Sequence, residues 1–382
     1  MRRYMKYIVM ACVILGLILS GCSLQPKAQN LPNPQVGEGG APPEAEATRQ
    51  DVLGPEKRIV MGFYTDAEGE VPASKDSMMQ HIQAMEEVAF FWYSFDGNGY
   101  VGPNGDVDLS IKEAAQKAGA KAYALIHNMR EGLFDADLAH QALANEKNRA
   151  NFVQSLLDLT LKDNWDGISI DIEKVPPADR NNYSAFLNEL SSALKAKDKI
   201  LNVSIPAKYN DYAADLWSGA YDYTAIGKAA DQVILMTYDE HGLGTTQGPI
   251  ASVDWVNRVL DFATGKIPKE KMVMGLPVYA FDWGSNKPNL PAYLSYAQAI
   301  QRAKEHGVNV MFDESSQTSH YAYTAGGVRH EVYLENAKSL AAKLENAKKH
   351  QLHGVAIWRL GMEDPAMWDQ VINTYGTNDQ QQ

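Results

Sequence analysis

From Arg58 onward the chain repeats one hydropathic pattern. A short β-branched or apolar run is followed by a stretch with helical spacing of its apolar residues, then by another such run. The runs are Ile59–Tyr64, Glu87–Ser94, Lys121–His127, Gly167–Glu173, Leu201–Pro206, Gln232–Tyr238, Met272–Tyr279 and Gly354–Leu360. Helix-like segments lie between them, such as Ile111–Ala118, Asn148–Lys162, Asn181–Ala196, Ala251–Thr264 and Glu335–His350. Strands alternating with helices imply parallel pairing through βα units. Eight strands over about 320 residues predict an α/β fold, a (β/α)8 TIM barrel. The competing architecture is an open doubly wound sheet. It would carry a Gly-rich phosphate turn after the first strand, where this chain reads Tyr64-Thr65-Asp66-Ala67.

Spacing reveals an insertion after strand seven. That strand ends near Tyr279, but its helix does not start until about Glu331. Between them lie a helix-like Ala297–Glu305 and β-like Asn309–Phe312 and His320–Thr324, which predict a small α+β subdomain at about 280–330.

The N-terminus reads as an address. Arg2, Arg3 and Lys6 precede an uncharged, mostly apolar stretch from Tyr7 to Leu19, the order of a secretory signal. An uncleaved membrane anchor is the alternative, but the run is shorter than the ~20 residues a spanning helix needs. Leu19-Ser20-Gly21-Cys22 resembles the bacterial lipobox, a resemblance that makes Cys22 the lipidated mature N-terminus. The following residues carry Pro26, Pro32, Pro34, Pro42 and Pro43 and the run Gly37-Glu38-Gly39-Gly40, a composition that cannot offset the entropy of folding. The expected organisation is a signal peptide at 1–21, a lipid-anchored flexible tether at 22–56, the barrel at 57–376 and a disordered tail at 377–382.

Composition then narrows the function. Seven Trp, 19 Tyr and 10 Phe supply a large core. A net charge of −12, falling to −15 once the three basic residues of the signal are removed, argues against a nucleic-acid partner, since phosphate binding needs a basic face. Two cysteines exclude a disulfide scaffold or a Cys-rich zinc site. The nine His show no metal-ligand spacing, so no metal and no cofactor are expected.

The chemistry concentrates in Asp166-Gly167-Ile168-Ser169-Ile170-Asp171-Ile172-Glu173. Alternate residues of a strand share a face. Ser169, Asp171 and Glu173 therefore point into the barrel, and Ile168, Ile170 and Ile172 point outward. Two inward carboxyl groups are costly unless they react or pair with cations, and no Lys or Arg alternates in phase. Glu173, at the C-terminal end where barrel active sites lie, should have a raised pKa and could act as a general acid.

This strand resembles the glycoside hydrolase family 18 signature D-G-x-D-x-D-x-E, with Ser169 where the pattern has its first strand Asp. Met236-Thr237-Tyr238-Asp239 resembles the family's M-x-Y-D, and Trp358 stands where the family has its strand-eight Trp. Gly248-Pro249-Ile250-Ala251-Ser252 and Gly275-Leu276-Pro277-Val278-Tyr279 also fit. Within the family the chain looks most like the bacterial spore-germination and cortex-lytic branch. The resemblance implies a retaining β-N-acetylglucosaminidase that uses the substrate's own acetamido group. Glu173 would be acid and then base. Asp171 would orient the acetamido N–H and stabilise the oxazolinium, and Tyr238 would bond the acetamido oxygen. Trp358 would floor the sugar site and Asp239 would bond the sugar. Tyr64 and Asn128, ending strands one and three, are further substrate-binding candidates. Ser169 departs from the pattern: Asp171 loses its carboxyl partner and keeps at most a hydrogen bond from the hydroxyl, which puts the pH optimum in question.

The expected partner is an N-acetylglucosamine-containing glycan, peptidoglycan-like or chitin-like. The expected location is the extracytoplasmic face of the membrane, held through lipid on Cys22, with the protein acting as a monomer. A non-catalytic sugar-binding barrel is the alternative, disfavoured by the joint presence of Glu173, Asp171 and Tyr238. A solute-binding lipoprotein would show two α/β lobes and no inward carboxylate strand.

Overall fold

The structure, a computed structural model, describes residues 58–67 and 71–376. The expected signal at 1–21, Cys22, the tether at 22–56 and the tail at 377–382 lie outside the described residues.

Eight parallel strands form the barrel: β1 (Ile59–Tyr64), β2 (Glu87–Phe95), β3 (Lys121–His127), β4 (Gly167–Asp171), β5 (Ile200–Pro206), β6 (Gln232–Met236), β7 (Met272–Pro277) and β8 (Gly354–Trp358). Each pairs with the next. β1 closes the circle by pairing with both β2 and β8, with Met61 opposite Glu87 and Ile59 opposite Gly354. The strands and helices fall where the hydropathic pattern puts them, with one systematic difference. β4, β6, β7 and β8 each end two residues before the apolar pattern does. Glu173 and Tyr238 therefore stand on the loops just above the strand ends.

The alternation in β4 sorts the side chains as expected. Ile168, Ile170 and Ile172 join the outer core with Phe152 and Leu156 of the helix Glu146–Lys162 and Phe186, Leu187 and Leu190 of the helix Arg180–Lys195. Burying each isoleucine contributes about 2 kcal/mol. Gly167 is needed where β4 meets β5, because a Cβ there would lie 2.1 Å from the Ile200 carbonyl oxygen. A second apolar cluster, including Met61, Phe63, Tyr123, Leu125, Ile234 and Val273, fills the barrel axis. Glu87 joins that axis as a buried carboxyl group, accepting from Tyr123 Oη at 3.0 Å and Gln232 Nε2 at 2.9 Å.

The insertion is a five-stranded antiparallel sheet in the order Ala292–Ser295, Tyr279–Gly284, Val328–Leu334, Thr318–Ala325, Met311–Asp313. The helix Tyr296–Glu305 packs on it through Ala299 and Ala303. Tyr279 begins the first of these strands rather than ending β7, and the helix expected from about Glu331 begins at Ala337. The displaced segment, Val328–Leu334, is held as a strand by pairing on both sides: Leu334 lies opposite Ala280, and Val332 opposite Tyr321. Trp283 is buried in the core at 1% exposure, so it covers the subdomain and is not available to stack on a sugar.

Candidate active site

Asp171, the last residue of β4, is 4% exposed, and Glu173 stands half-buried two residues above it. The loop that carries Glu173 is clasped on both sides. Tyr221 Oη donates to the Ile172 carbonyl at 2.9 Å and accepts from the Val175 N–H at 3.5 Å. Asn128 takes hold of Glu173 itself. Its Oδ1 accepts from the Glu173 N–H at 2.9 Å and its Nδ2 donates to the Glu173 carbonyl at 2.8 Å. Lys174 then takes a left-handed φ of 54°, which turns the chain away above the strand.

Tyr238 approaches from β6. Thr237 Oγ1 donates to the Gly275 carbonyl at 2.6 Å, tying the end of β6 to β7. Gly275 makes room for the phenol, since a Cβ there would lie 2.8 Å from Tyr238 Cε1. Asp239 follows with φ of 57° and accepts a hydrogen bond from Tyr279 Oη of the insertion. The insertion thus reaches the site through the Tyr279 phenol, with Tyr293 packed against it at 4.9 Å between ring centroids.

Three carboxyl groups share this mouth, and no cation among the described residues is strong enough there to neutralise them. Burial pushes Asp171 up to about 7. Burial, then the charges of Asp171 and Asp239, hold Glu173 well above the usual carboxyl range, while Lys174 opposes weakly. Asp239 is open to solvent as a residue, yet the protein crowded around its carboxyl raises it to about 6, and the Tyr279 bond pulls the other way. Burial and the facing carboxylates also raise the Tyr238 phenol, so it stays a donor. At neutral pH the Asp171–Glu173 pair therefore keeps a proton in place to be donated.

Trp358 ends β8, partly buried, with Phe63 edge-on at 5.3 Å and Phe91 at 5.8 Å between ring centroids. Phe91 stacks on His127 at 4.0 Å. His127 is level with Asp171 in the β3–β4 register, and burial lowers its pKa to about 4, so it is neutral.

Glu173, Asp171, Tyr238, Asp239 and Trp358 gather at the C-terminal mouth of the barrel. Three other candidates do not line it. Tyr64 is buried on the outer face against Phe90 and Trp92, because parity turns Phe63 inward. Asn128 is fully buried, and its amide is engaged by Glu173 and by the Asp135 carbonyl at 2.9 Å. It holds the Glu173 backbone in place and does not line the mouth. Ser169 is fully buried one repeat below Asp171, and its hydroxyl bonds to no described group, Asp171 included. His127 and Phe63 are not among the sequence candidates, although strand parity points to both, each one residue before a chosen candidate. Among the described residues, no group of three or more His, Cys, Asp and Glu could hold a metal ion.

The family model for Glycosyl hydrolases family 18 matches residues 136–363. The chain is 32% identical to the "Uncharacterized glycosylase YvbX" of Bacillus subtilis, covering 81% of this chain and 94% of that one. Among solved structures, a chitinase from Chromobacterium violaceum superposes with a TM-score of 0.77 at 30% identity, covering 84% of this chain and 98% of that one. The Bacillus cereus spore cortex-lytic enzyme SleL superposes with a TM-score of 0.76 at 25% identity, covering 84% and 75%.

Proposed function

The chain belongs to glycosyl hydrolases family 18, and on that premise we propose that it is a retaining β-N-acetylglucosaminidase acting on peptidoglycan by substrate assistance. The observation that carries the reading is a pair of carboxyl groups, Asp171 buried and Glu173 half-buried above it, both held above their usual pKa by desolvation, with the Tyr238 phenol facing them. A glycan with a 2-acetamido group completes that set. Glu173 gives its proton to the glycosidic oxygen as the C1–O bond breaks, and the acetamido carbonyl oxygen closes on C1. The resulting oxazolinium is cationic. With the pair's one proton carried by Glu173, Asp171 stands as the carboxylate that faces this charge and accepts from its N–H. Tyr238 holds the acetamido oxygen in line. Water then attacks C1, Glu173 takes its proton, and the acetamido group reopens with configuration retained.

The likeness to a spore cortex-lytic enzyme supports peptidoglycan over chitin. The Leu19-Ser20-Gly21-Cys22 run supports a lipid anchor that holds the barrel at the outer face of the membrane, next to that substrate. The test is digestion of purified peptidoglycan and of chitin oligomers by wild type and Glu173→Gln, with mass spectrometry of the new reducing ends. Reducing-end N-acetylglucosamine from peptidoglycan with wild type alone is expected. Reducing-end N-acetylmuramic acid, or undiminished release by the variant, would refute the reading.

A further inference from the structure

A cavity of about 700 Å³ opens among the segments that follow β2 and β3. Ser94 and Asn104 line it from the β2 side, and Arg130, Leu133, Phe134 and Asp135 from the β3 side. Its walls are wired to the two carboxyl-bearing residues. Asn128, which grips both backbone groups of Glu173, also donates from Nδ2 to the Asp135 carbonyl, and its own carbonyl accepts from the Asp135 N–H at 3.0 Å. Asn104 Nδ2 lies 3.2 Å from Nε2 of His127, the residue level with Asp171. One intervening residue thus separates the cavity wall from Glu173 on one path and from Asp171 on the other.

Arg130 sits on a short hairpin, Met129–Arg130 against Leu133–Phe134, closed by Glu131 and Gly132 with φ of 50° and 81°. Such a two-residue turn is a stiff support. The Arg130 side chain is 53% exposed and lies 3.5 Å from Asp135 Oδ2, too long for a well-formed charged hydrogen bond. The other Asp135 oxygen caps the next helix, accepting from the Leu138 N–H at 3.0 Å. A guanidinium has five donors, and this geometry leaves donors for a ligand.

We infer that the cavity receives the acyl arm on O3 of the leaving sugar, with Arg130 donating to its carbonyl or carboxylate oxygen. The inference rests on the peptidoglycan reading above. When a linkage after N-acetylglucosamine is cut there, the leaving sugar is N-acetylmuramic acid. Its O4 is the oxygen Glu173 protonates, and its lactyl ether hangs from the adjacent carbon. The arm must therefore lie within one sugar ring of Glu173, and the cavity wall at Asp135 is joined to the Glu173 backbone through the single side chain of Asn128. Leu133 and Phe134 suit the lactyl methyl group. Glu131 and Asp135 beside Arg130 keep the lip from being strongly cationic, so an amide-capped lactyl is accepted as readily as a free carboxylate. Chitin offers only a hydroxyl at this position and leaves Arg130 unused.

The test compares kcat/KM of wild type, Arg130→Met and Arg130→Lys on a muramyl-containing tetrasaccharide and on chitotetraose. Losing a charged hydrogen bond is expected to lower the muramyl-to-chitin ratio about tenfold or more in Arg130→Met, mainly through KM. Arg130→Lys should recover part of it. Equal losses on both substrates, or an unchanged ratio, would overturn the inference and leave the peptidoglycan reading standing. Failure of the wild type to cut the muramyl substrate at all would overturn both.

Discussion

Asp171 carries a stability penalty for its chemistry, and replacing it with Asn should expose that penalty as a function of pH. Its carboxyl is buried with no cation among the described residues to pair with it, and burial moves it from 3.8 to about 7. At 1.36 kcal/mol for each unit, that difference amounts to roughly 4 kcal/mol. The folded-state value is raised, so the contribution to stability is complete below about pH 4 and is lost as pH rises through about 7. An asparagine side chain at this position cannot ionise and escapes the loss. The Asp171→Asn variant should therefore gain on the wild type as pH climbs from about 4 to about 8. For a folded unit of about 320 residues, with an unfolding entropy of about 2.1 cal/mol/K per residue, about 4 kcal/mol corresponds to roughly 6 °C in Tm. Sharing of a proton with Glu173 makes these figures ceilings. Thermal melts of both proteins across that pH range supply the measurement. On the proposed mechanism the variant should also lose activity by about a thousandfold or more, because its amide cannot supply the negative charge that faces the oxazolinium. A Tm difference that stays flat with pH, or that shrinks as pH rises, would show that Asp171 is already ionised and paired in the fold.

Tyr238→Phe removes only the donor that faces the carboxylates, so kcat should fall about 10- to 1000-fold with the fold intact, as circular dichroism and turnover would show. Asn128→Ala leaves both backbone groups of Glu173 and the Asp135 carbonyl without this partner. Stability should drop by about 2–4 kcal/mol in urea melts and kcat should fall while KM moves little. Trp358→Ala leaves Phe63 and Phe91 facing a gap, and if Trp358 floors the sugar as proposed, KM should rise about tenfold or more in initial-rate assays.

Much of this was legible in the sequence because a barrel strand carries two signals at once. The apolar runs located all eight strands, and the parity of Ser169, Asp171 and Glu173 against the isoleucines set which face of β4 looks inward. In β1 and β3 the last residue of the apolar run does not by itself say which way it faces. Tyr64 and Asn128 end their strands but face outward or lie sealed, while Phe63 and His127 occupy the inward positions. The insertion was harder to read because its strands are defined by pairing with distant partners. Val328–Leu334 alternates weakly and could continue toward the helix that follows. Only Tyr279–Gly284 on one side and Thr318–Ala325 on the other make it a strand. The link from Tyr279 to Asp239 was invisible for the same reason, since it joins elements 40 residues apart. The clasp of Tyr221 and Asn128 around Glu173 is likewise a tertiary fact with no local motif.

The stereochemistry of the first product tests the central claim most directly. Proton NMR of a β-linked N-acetylglucosamine oligomer, followed from the first seconds of digestion, reports the anomer released before mutarotation blurs it. Attack by the acetamido oxygen followed by water inverts C1 twice, so the β-anomer should appear first and the α-anomer should grow only at the rate of mutarotation. Initial release of the α-anomer would mean that water attacks directly, and would contradict the roles given to Asp171, Tyr238 and the substrate's own acetamido group.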